Sequence, residues 1–359
     1  MKKRSRVLSI VYVALFLFCL VGCSKTSDPV AANSGAPAAD TTTGGVPLGA
    51  PALYGDAPAQ STMSLDGLQS IVNLCLLEGG SVLNWTDPSG EARNACLFNP
   101  AGASVDHPLP LLVYLHPSLF SADKTAPLTG FISDASSADL SGDITHKGFI
   151  LLMPEGRDTH HYYPFPDDTG VGWDNWYRNL DRSSPALNVD VAAIDHFISV
   201  VKGMGIVDPK RVYLTGWSNG AAMAQLYALN TPGIAAAAVY SSPDPFSDVA
   251  DPGAQEPFAT ALTPLMDIHN QCDIIGICQT GTKFHQTLSQ LYPKLAQRPV
   301  IIDILLNEVQ ACDAMCADQT IVPSGLSGAL GFVGAVNHMR WPLTWNTQMY
   351  SFLREHPMP

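Results

Sequence analysis

A serine lies between two glycines at residues 216–220, where the sequence is Gly-Trp-Ser-Asn-Gly. A strand-like run at 211–215 precedes this pentapeptide, and a run of small and apolar residues at 221–229 follows it. This order predicts a buried strand that turns sharply into a helix, with the serine in a strained conformation that flanking side chains would obstruct. The pattern therefore predicts Ser218 as an exposed nucleophile on such a turn, with a purely structural tight turn as the alternative.

A serine hydroxyl needs a base to take its proton, and the base needs an acid that holds it in the correct tautomer. On a strand-turn-helix element of this kind the chain order is serine, acid, histidine. We predict His338 as the base because it lies in a loop just before the last predicted helix, at 344–354. His285 falls in a predicted helix, and His356 falls in the terminus.

The predicted acid is Asp273, which follows the predicted strand 262–268 by a few residues. That position places it at the carboxyl edge of the sheet, beside the serine. Asp267 lies inside the strand, where we expect a structural role. Asp303 and Asp313 remain alternatives.

Two backbone N–H groups must stabilise the oxyanion that forms during acyl transfer. One is predicted at Asn219, at the start of the helix. The other is expected from the loop after the strand 111–115, but Pro117 has no N–H. The second donor is therefore predicted at Ser118 or Leu119.

Four tryptophans could line an apolar or aromatic cleft suited to an ester: Trp173, Trp176, Trp217 and Trp341. The alternative for each is ordinary core packing. The place of Trp217 within the turn favours packing for that residue.

Apolar runs of strand length alternate with amphipathic runs of helix length along the chain. This alternation predicts an α/β fold with a doubly wound, mostly parallel sheet. The predicted strands are 92–98 (at an edge), 111–115, 149–153, 211–215, 234–240 and 262–268, and a helix is predicted at 189–204.

The N-terminus predicts export. Residues 1–22 combine four early basic residues with the apolar run 7–20, which is typical of a secretory signal peptide. The Leu-Val-Gly-Cys at its end is similar to a bacterial lipobox, which predicts lipidation of Cys23; an ordinary signal peptide is the alternative. Ser24, by similarity to Gram-negative lipoproteins, favours the outer membrane or cell surface.

The rest of the chain divides into a stalk and a catalytic domain. The segment 23–60 is dominated by small residues and proline and predicts a flexible stalk, while 61–359 predicts one catalytic domain. The net charge of −13 argues against nucleic-acid binding and against membrane contact other than through the lipid. We expect a monomer.

An exported chain should pair its cysteines. Six remain after the signal peptide and the lipid site: Cys75, Cys96, Cys272, Cys278, Cys312 and Cys316. We predict a Cys75–Cys96 disulfide because these two are isolated from the others. The other four allow three pairings, and a metal site among them is disfavoured because no C-x-x-C pair occurs.

From about residue 93 to 345 the chain resembles the esterase family that includes polyhydroxybutyrate depolymerases and bacterial feruloyl and acetylxylan esterases. The resemblance lies in the segments 109–116, 148–149, 153–156, 172–176, 207–213 and 216–220. It implies an α/β-hydrolase fold with Ser218, Asp273 and His338 as the catalytic triad.

Three departures from the family pattern concern the site. His116-Pro117 stands where the family has His-Gly, and the acid loop at 269–273 is His-Asn-Gln-Cys-Asp instead of His-Gly-Thr-Ala-Asp. Two residues, one more than usual, separate His338 from the Trp-Pro pair that follows it. We expect the catalytic residues to survive these changes and the substrate preference to be affected.

These observations predict a lipid-anchored serine carboxylesterase that needs no metal or cofactor and acts on a hydroxyalkanoate polyester, its oligomers or a similar ester. A feruloyl or acetylxylan esterase is the alternative within the family. A binding lipoprotein that has lost catalysis is an alternative of another class, supported by Pro117. A peptidase on the same fold is a further one.

Overall fold

The computed structural model describes residues 74–88, 90, 92–118, 120–156, 172–173, 182–183, 185, 189–245, 261–270, 273, 277–291, 301–306, 334 and 336–359. The chain divides into two compact units, Met1–Val46 and Pro47–Pro359. The signal peptide, Cys23 and the stalk predicted at 1–60 lie outside the described residues. Among the residues described, no helix has the length and apolar character needed to cross a membrane.

The unit Pro47–Pro359 contains an eight-stranded sheet with the order β1-β2-β4-β3-β5-β6-β7-β8. The strands are β1 (Ser81–Thr86), β2 (Ala92–Phe98), β3 (Leu109–Leu115), β4 (Ile150–Pro154), β5 (Val207–Trp217), β6 (Ala236–Tyr240), β7 (Leu265–Asn270) and β8 (Ile301–Leu306). The β1–β2 and β2–β4 pairs are antiparallel, and all the others are parallel. This arrangement is the α/β-hydrolase fold, so the predicted fold class is confirmed.

Helices cover both faces of the sheet. They are α1 (Ala122–Thr129), α2 (Phe131–Asp134), α3 (Val189–Gly203), α4 (Asn219–Asn230), α5 (Ile277–Leu291) and α6 (Asn346–Glu355), with a 3₁₀ turn at Leu343–Trp345. Every residue of β3 and β4 is buried, as expected for strands covered on both sides. One apolar cluster packs α3 and α4 on one face of the sheet, and a second packs α2 and α6 on the other.

The carboxyl ends of β5, β6 and β7 meet at one edge of the sheet. Trp217 is paired with Tyr240, and Tyr240 is paired with Ile268. Residues that follow these strands are therefore neighbours in space although they lie far apart in sequence. This edge is where an open α/β sheet places its ligand site.

A buried arginine ties the first strands to the rest of the domain. The Arg93 guanidinium donates to the Asp190 carboxylate at 2.5 Å and to the Glu155 carbonyl at 3.1 Å. The Asp87 carboxylate lies 3.8 Å from the same guanidinium, and the side chains of Arg93, Asp87 and Asp190 are all fully buried. Removing Arg93 would therefore leave two buried carboxylates without this cation. The Arg93–Asp190 pair thus fixes the start of α3 against β2 and the end of β4.

The disulfide predicted between Cys75 and Cys96 is present. Cys278 is also disulfide-bonded. Cys272, Cys312 and Cys316 lie outside the described residues, so the pairing among the other four cysteines stays open.

Candidate active site

Ser218 lies at the turn between β5 and α4 in a conformation that side-chain-bearing residues rarely adopt. Its φ is 57° and its ψ is −122°. Its N–H donates to the Tyr240 carbonyl at 3.0 Å, which anchors the turn to β6. A strained residue held this firmly between two elements is what a nucleophile elbow requires.

The two glycines of the pentapeptide let the turn pack directly on other backbone. A Cβ on Gly216 would lie 2.3 Å from the Gly220 carbonyl oxygen. A Cβ on Gly220 would lie 2.2 Å from the carbonyl oxygen of Leu115 and 2.3 Å from that of His116. The elbow is therefore pressed against the end of β3, where the predicted oxyanion loop begins.

The structure brings together the three residues predicted as nucleophile, base and acid. His338 Nε2 lies 2.8 Å from Ser218 Oγ, and His338 Nδ1 lies 2.7 Å from Asp273 Oδ1. All three residues are buried, so the expectation of an exposed Ser218 is wrong; the turn packs against its neighbours and leaves the residue 6% exposed. The hydrogen-bonded path runs from the hydroxyl through both ring nitrogens to the carboxylate, which is the geometry of a Ser-His-Asp triad.

Strand ends hold the histidine loop in place. Trp217 Nε1 donates to the His338 carbonyl at 2.9 Å, and the Tyr240 hydroxyl donates to the Asn337 carbonyl at 2.5 Å. Asn270 Nδ2 in turn donates to the Tyr240 hydroxyl at 2.8 Å. Residues from β5, β6 and β7 thus fix the backbone of the predicted base. They do so although two residues, one more than in the family pattern, separate His338 from the Trp-Pro pair that follows it.

The described alternatives for the acid and the base lie away from Ser218. Asp267 is buried within β7, where Gln225 Nε2 donates to its carboxylate at 3.3 Å. His285 Nε2 lies 2.7 Å from the Gln225 amide oxygen, so it belongs to the same buried cluster. His356 Nδ1 contacts the Phe352 carbonyl at the end of α6. The side chain of Asp303 is not described, and Asp313 lies outside the described residues.

The predicted oxyanion loop after β3 is built on a buried histidine. His116 Nδ1 donates to the Pro117 carbonyl at 2.9 Å, and the Gly156 N–H donates to His116 Nε2 at 2.8 Å. These partners require the neutral ring with its proton on Nδ1. Burial lowers the pKa of His116 to about 4, which agrees with a neutral ring.

A buried carboxyl group lies beside this histidine. Glu155 Oε1 is 3.7 Å from His116 Nε2, and Glu155 Oε2 accepts the Ala122 N–H at 3.0 Å. Burial raises the pKa of Glu155 well above its usual range. Sequence analysis did not identify this group, although Glu155 comes two residues after the predicted strand 149–153.

The Asn219 side chain joins the elbow to the segment 172–173. Its Oδ1 accepts the Trp173 N–H at 2.6 Å, and its Nδ2 donates to the Trp173 carbonyl at 3.1 Å. Ser118 is half-buried beside Pro117, and Leu119 lies outside the described residues. The role of the Asn219 and Ser118 backbone as oxyanion donors stays a prediction.

Three of the four tryptophans predicted to line a cleft are packed inside the protein. Trp173, Trp217 and Trp341 are 4%, 1% and 3% exposed. Their indole N–H groups donate to the carbonyls of His116 and His338 and to the Asn346 side chain, respectively. These contacts favour core packing over substrate contact. Trp176 lies outside the described residues.

A second serine touches both partners of Ser218, and sequence analysis missed it. Ser241 directly follows β6 and is fully buried. Its Oγ lies 2.8 Å from His338 Nδ1 and donates to Asp273 Oδ2. The signal in the sequence that could have identified Ser241 was its place at the end of a predicted strand, next to the one that carries Ser218.

Among the residues described, no cluster of three or more His, Cys, Asp or Glu side chains could hold a metal ion.

Residues 94–251 match the model of a family described as Esterase PHB depolymerase. This segment contains Ser218 but not Asp273 or His338. No curated protein matches the chain.

Among solved structures, the chain is similar to a thermostable esterase at 16% identity, covering 77% of this chain and 63% of that one with a TM-score of 0.47. It is similar to the dipeptidyl peptidase 4 of Porphyromonas gingivalis at 13% identity, covering 77% and 35% of the two chains with a TM-score of 0.40. A ferulic acid esterase is similar at 14% identity, covering 72% and 98% with a TM-score of 0.44. The chain thus spans less than two thirds of the first two proteins.

Gly220→Ala should damage the site because the new Cβ would meet the backbone of Leu115 and His116, which cannot move aside as a flexible side chain can. We expect kcat/KM to fall by at least about 100-fold, as for other misplacements near reacting groups. Gly203→Ala is the matched control, since nothing lies within 4 Å of a Cβ there. Esterase assays and thermal unfolding of both variants test this, and equal effects of the two substitutions would contradict it.

His116→Asn should flatten the dependence of stability on pH. The folded protein keeps His116 neutral down to about pH 4, whereas the unfolded chain takes up a proton below its ordinary pKa near 6.5. The free energy of unfolding of the wild type should therefore fall as the pH decreases through this window, by about 2 to 3 kcal/mol from this residue.

Urea unfolding at about pH 7.5 and about pH 4.5 measures this effect. The raised pKa of Glu155 acts in the opposite direction, because the folded state then holds a proton that the unfolded state releases. That contribution is common to both proteins, so their difference isolates His116. Equal pH dependence in the wild type and the variant would show that His116 is not held neutral.

Proposed function

We propose that this chain, an esterase-like α/β-hydrolase of the kind described as Esterase PHB depolymerase, is a serine carboxylesterase that forms an acyl-enzyme on Ser218. The observation that carries the proposal is the unbroken hydrogen-bonded path from Ser218 Oγ through His338 to Asp273. The path starts on a strained elbow and ends on a buried carboxylate.

The first step is attack by Ser218 Oγ on the ester carbonyl carbon. As the C–O bond forms, the hydroxyl proton moves to His338 Nε2, which lies 2.8 Å away. The imidazolium is stabilised by Asp273, which stays ionised. Collapse of the tetrahedral oxyanion breaks the bond to the alcohol, and the leaving oxygen takes the proton from Nε2.

The second step repeats this sequence with water. His338 Nε2 accepts a proton from water as its oxygen attacks the acyl-enzyme, and the proton then returns to Ser218 Oγ as the acid leaves. The net reaction consumes one ester and one water and yields one alcohol and one carboxylic acid. The protein's own residues carry every proton transfer.

The oxyanion would be stabilised by the Asn219 N–H and by the loop at Ser118. Asn219 is the first residue of the 12-residue helix α4, so the positive end of the helix dipole faces the reacting centre. Each backbone donor supplies roughly 3 kcal/mol of transition-state stabilisation. Pro117 removes one potential donor, but the elbow that presses against its loop is intact.

A hydroxyalkanoate polyester, or oligomers of one, is the proposed substrate. The family match supports it. Export to an oxidising compartment is supported by the Cys75–Cys96 disulfide. Anchoring through a lipid on Cys23 at the outer membrane or cell surface is proposed from the N-terminal pattern.

Ser218→Ala and His338→Ala should each lower kcat for p-nitrophenyl butyrate by at least about 10⁴-fold while the protein stays folded, because each removes a member of a unit that acts together. A fluorophosphonate should label the wild type and not Ser218→Ala. Substantial turnover by either variant, or labelling of Ser218→Ala, would refute the assignment. A folded wild type that fails to label would instead support a binding protein without catalysis.

The acid is tested by a matched pair in the same series. Asp273→Asn should lower kcat by about 10³- to 10⁴-fold because the amide supports the wrong histidine tautomer. Asp267→Asn should lower stability and leave kcat of the folded protein close to that of the wild type, since Asp267 contacts Gln225 and not His338. A large loss of kcat only in Asp267→Asn would refute the choice of Asp273.

The substrate class is tested by a panel of hydroxybutyrate oligomers, methyl ferulate and acetylated xylan. We expect the highest kcat/KM on the oligomers. A preference of at least about 10-fold for either of the other esters, equivalent to about 1.4 kcal/mol of transition-state binding, would replace the proposed substrate. An amide substrate in the panel tests for peptidase activity.

A further inference from the structure

We propose that Ser241 is a positioning residue of this site, which commits His338 to the tautomer needed for catalysis and holds the Asp273 carboxylate in place. The proposal rests on the function proposed above, because it concerns how the same histidine works as a base. It assigns a role to a side chain that does not face the substrate.

The sheet places Ser218 and Ser241 as equivalent residues of adjacent strands. Trp217 and Tyr240 are paired in the sheet, and each serine follows its strand directly. The Ser241 N–H donates to the Ile268 carbonyl at 2.7 Å, which anchors it to β7 as well. The position of the Ser241 hydroxyl is therefore determined by three strands.

Ser241 also has a left-handed backbone, with φ at 58°. A serine in this region is strained, and such strain persists where the surrounding structure imposes it. The side chain is fully buried. Its strained backbone, its burial and the two groups that its hydroxyl contacts distinguish Ser241 from a serine that only fills space in the core.

The hydrogen bonds around Ser241 determine which nitrogen of His338 carries the proton. The Ser241 hydroxyl donates its single proton to Asp273 Oδ2, so toward His338 Nδ1 its oxygen can only accept. Asp273 Oδ1 is the second acceptor at Nδ1, at 2.7 Å. With two acceptors facing it, Nδ1 must carry the proton, and Nε2 is left as the base toward Ser218.

The same contacts strengthen during the reaction. When Nε2 takes the Ser218 proton, the ring becomes a cation, and the Nδ1–H is then shared between Asp273 Oδ1 and Ser241 Oγ. Hydrogen bonds to charged groups are stronger than those to neutral ones. Ser241 should therefore lower the barrier of the chemical step, with little effect on substrate binding.

The neighbouring residue provides a matched control. Ser242 is also buried, but its hydroxyl donates to the Pro243 carbonyl at 2.8 Å. Ser242→Ala removes the same hydroxyl group one residue further along the chain. It should leave kcat and KM unchanged.

The test compares Ser241→Ala and Ser241→Gly with Ser242→Ala in the full chain, using p-nitrophenyl butyrate and normalising to the folded fraction. We expect both Ser241 variants to lose about 10- to 100-fold in kcat, the size of a buried hydrogen bond to a charged group, with KM within about 2-fold of the wild type. Glycine adopts the left-handed conformation without strain, so Ser241→Gly removes the hydroxyl without loss of folding.

A double-mutant cycle shows whether Ser241 acts through Asp273. If it does, Ser241→Ala should cost less than about 3-fold in kcat in the Asp273→Asn background, because the carboxylate that it positions is already gone. Loss of the same factor in both backgrounds would overturn the proposal. So would kcat of both Ser241 variants within about 2-fold of the wild type, or a loss confined to KM.

Ser218→Ala, measured in parallel, separates this proposal from the proposed function. Turnover by Ser218→Ala would show that the proposed function itself is wrong. If Ser218→Ala is inactive while both Ser241 variants match the wild type, the esterase function stands and only the role of Ser241 is overturned.

Discussion

The site depends on one close backbone approach, that of Gly220 to the carbonyl groups of Leu115 and His116. No side chain fits in this gap, since a Cβ there would lie within 2.3 Å of both oxygens. The contact joins the start of α4 to the end of β3, and so brings the turn at Ser218, the proposed nucleophile, to the proposed oxyanion loop. The strain at Ser218 is maintained because the turn is packed in this way and anchored to β6.

Polar groups of three neighbouring strands then position the base. Trp217, Tyr240 and Asn270 are the last residues of β5, β6 and β7, and together they hold the carbonyl groups of Asn337 and His338, the proposed base. Tryptophan and tyrosine suit this task because each has a large apolar body for the core and one donor at its tip. These aromatic residues therefore contribute to the site through the backbone they hold rather than through contact with substrate.

Buried ionisable groups support the other side of the site. His116 is held neutral by burial and binds both Pro117 and Gly156, while the adjacent Glu155 accepts from the start of α1. Arg93 binds the Glu155 carbonyl and Asp190, which connects the oxyanion loop to β2 and α3. Removing one partner from such a network costs more than a surface contact would, because the group left behind is buried.

Residue types that lie close together in the chain were enough to predict its local features. The strand-turn-helix at Ser218, the missing N–H at Pro117 and the covered strand at β3 follow from residue types a few positions apart, because local steric and hydrogen-bonding rules govern them. The half-exposed strand β1 was not predicted because it lacks the apolar pattern of a covered strand, and it takes the edge position predicted for β2. The strand β8 was not predicted although it is apolar apart from Asp303.

Which distant side chains meet depends on the packing of the folded chain. Ser241 and His338 are 97 residues apart, and Asp273 and His338 are 65 apart. Such contacts depend on the register between strands and on how helices cover them, and the residue pattern of one strand does not contain that register. For the same reason only the structure could place Asp267 in a cluster with Gln225, bury Trp217 and Trp341, and bring the hydroxyl of Ser241 against the histidine that serves Ser218.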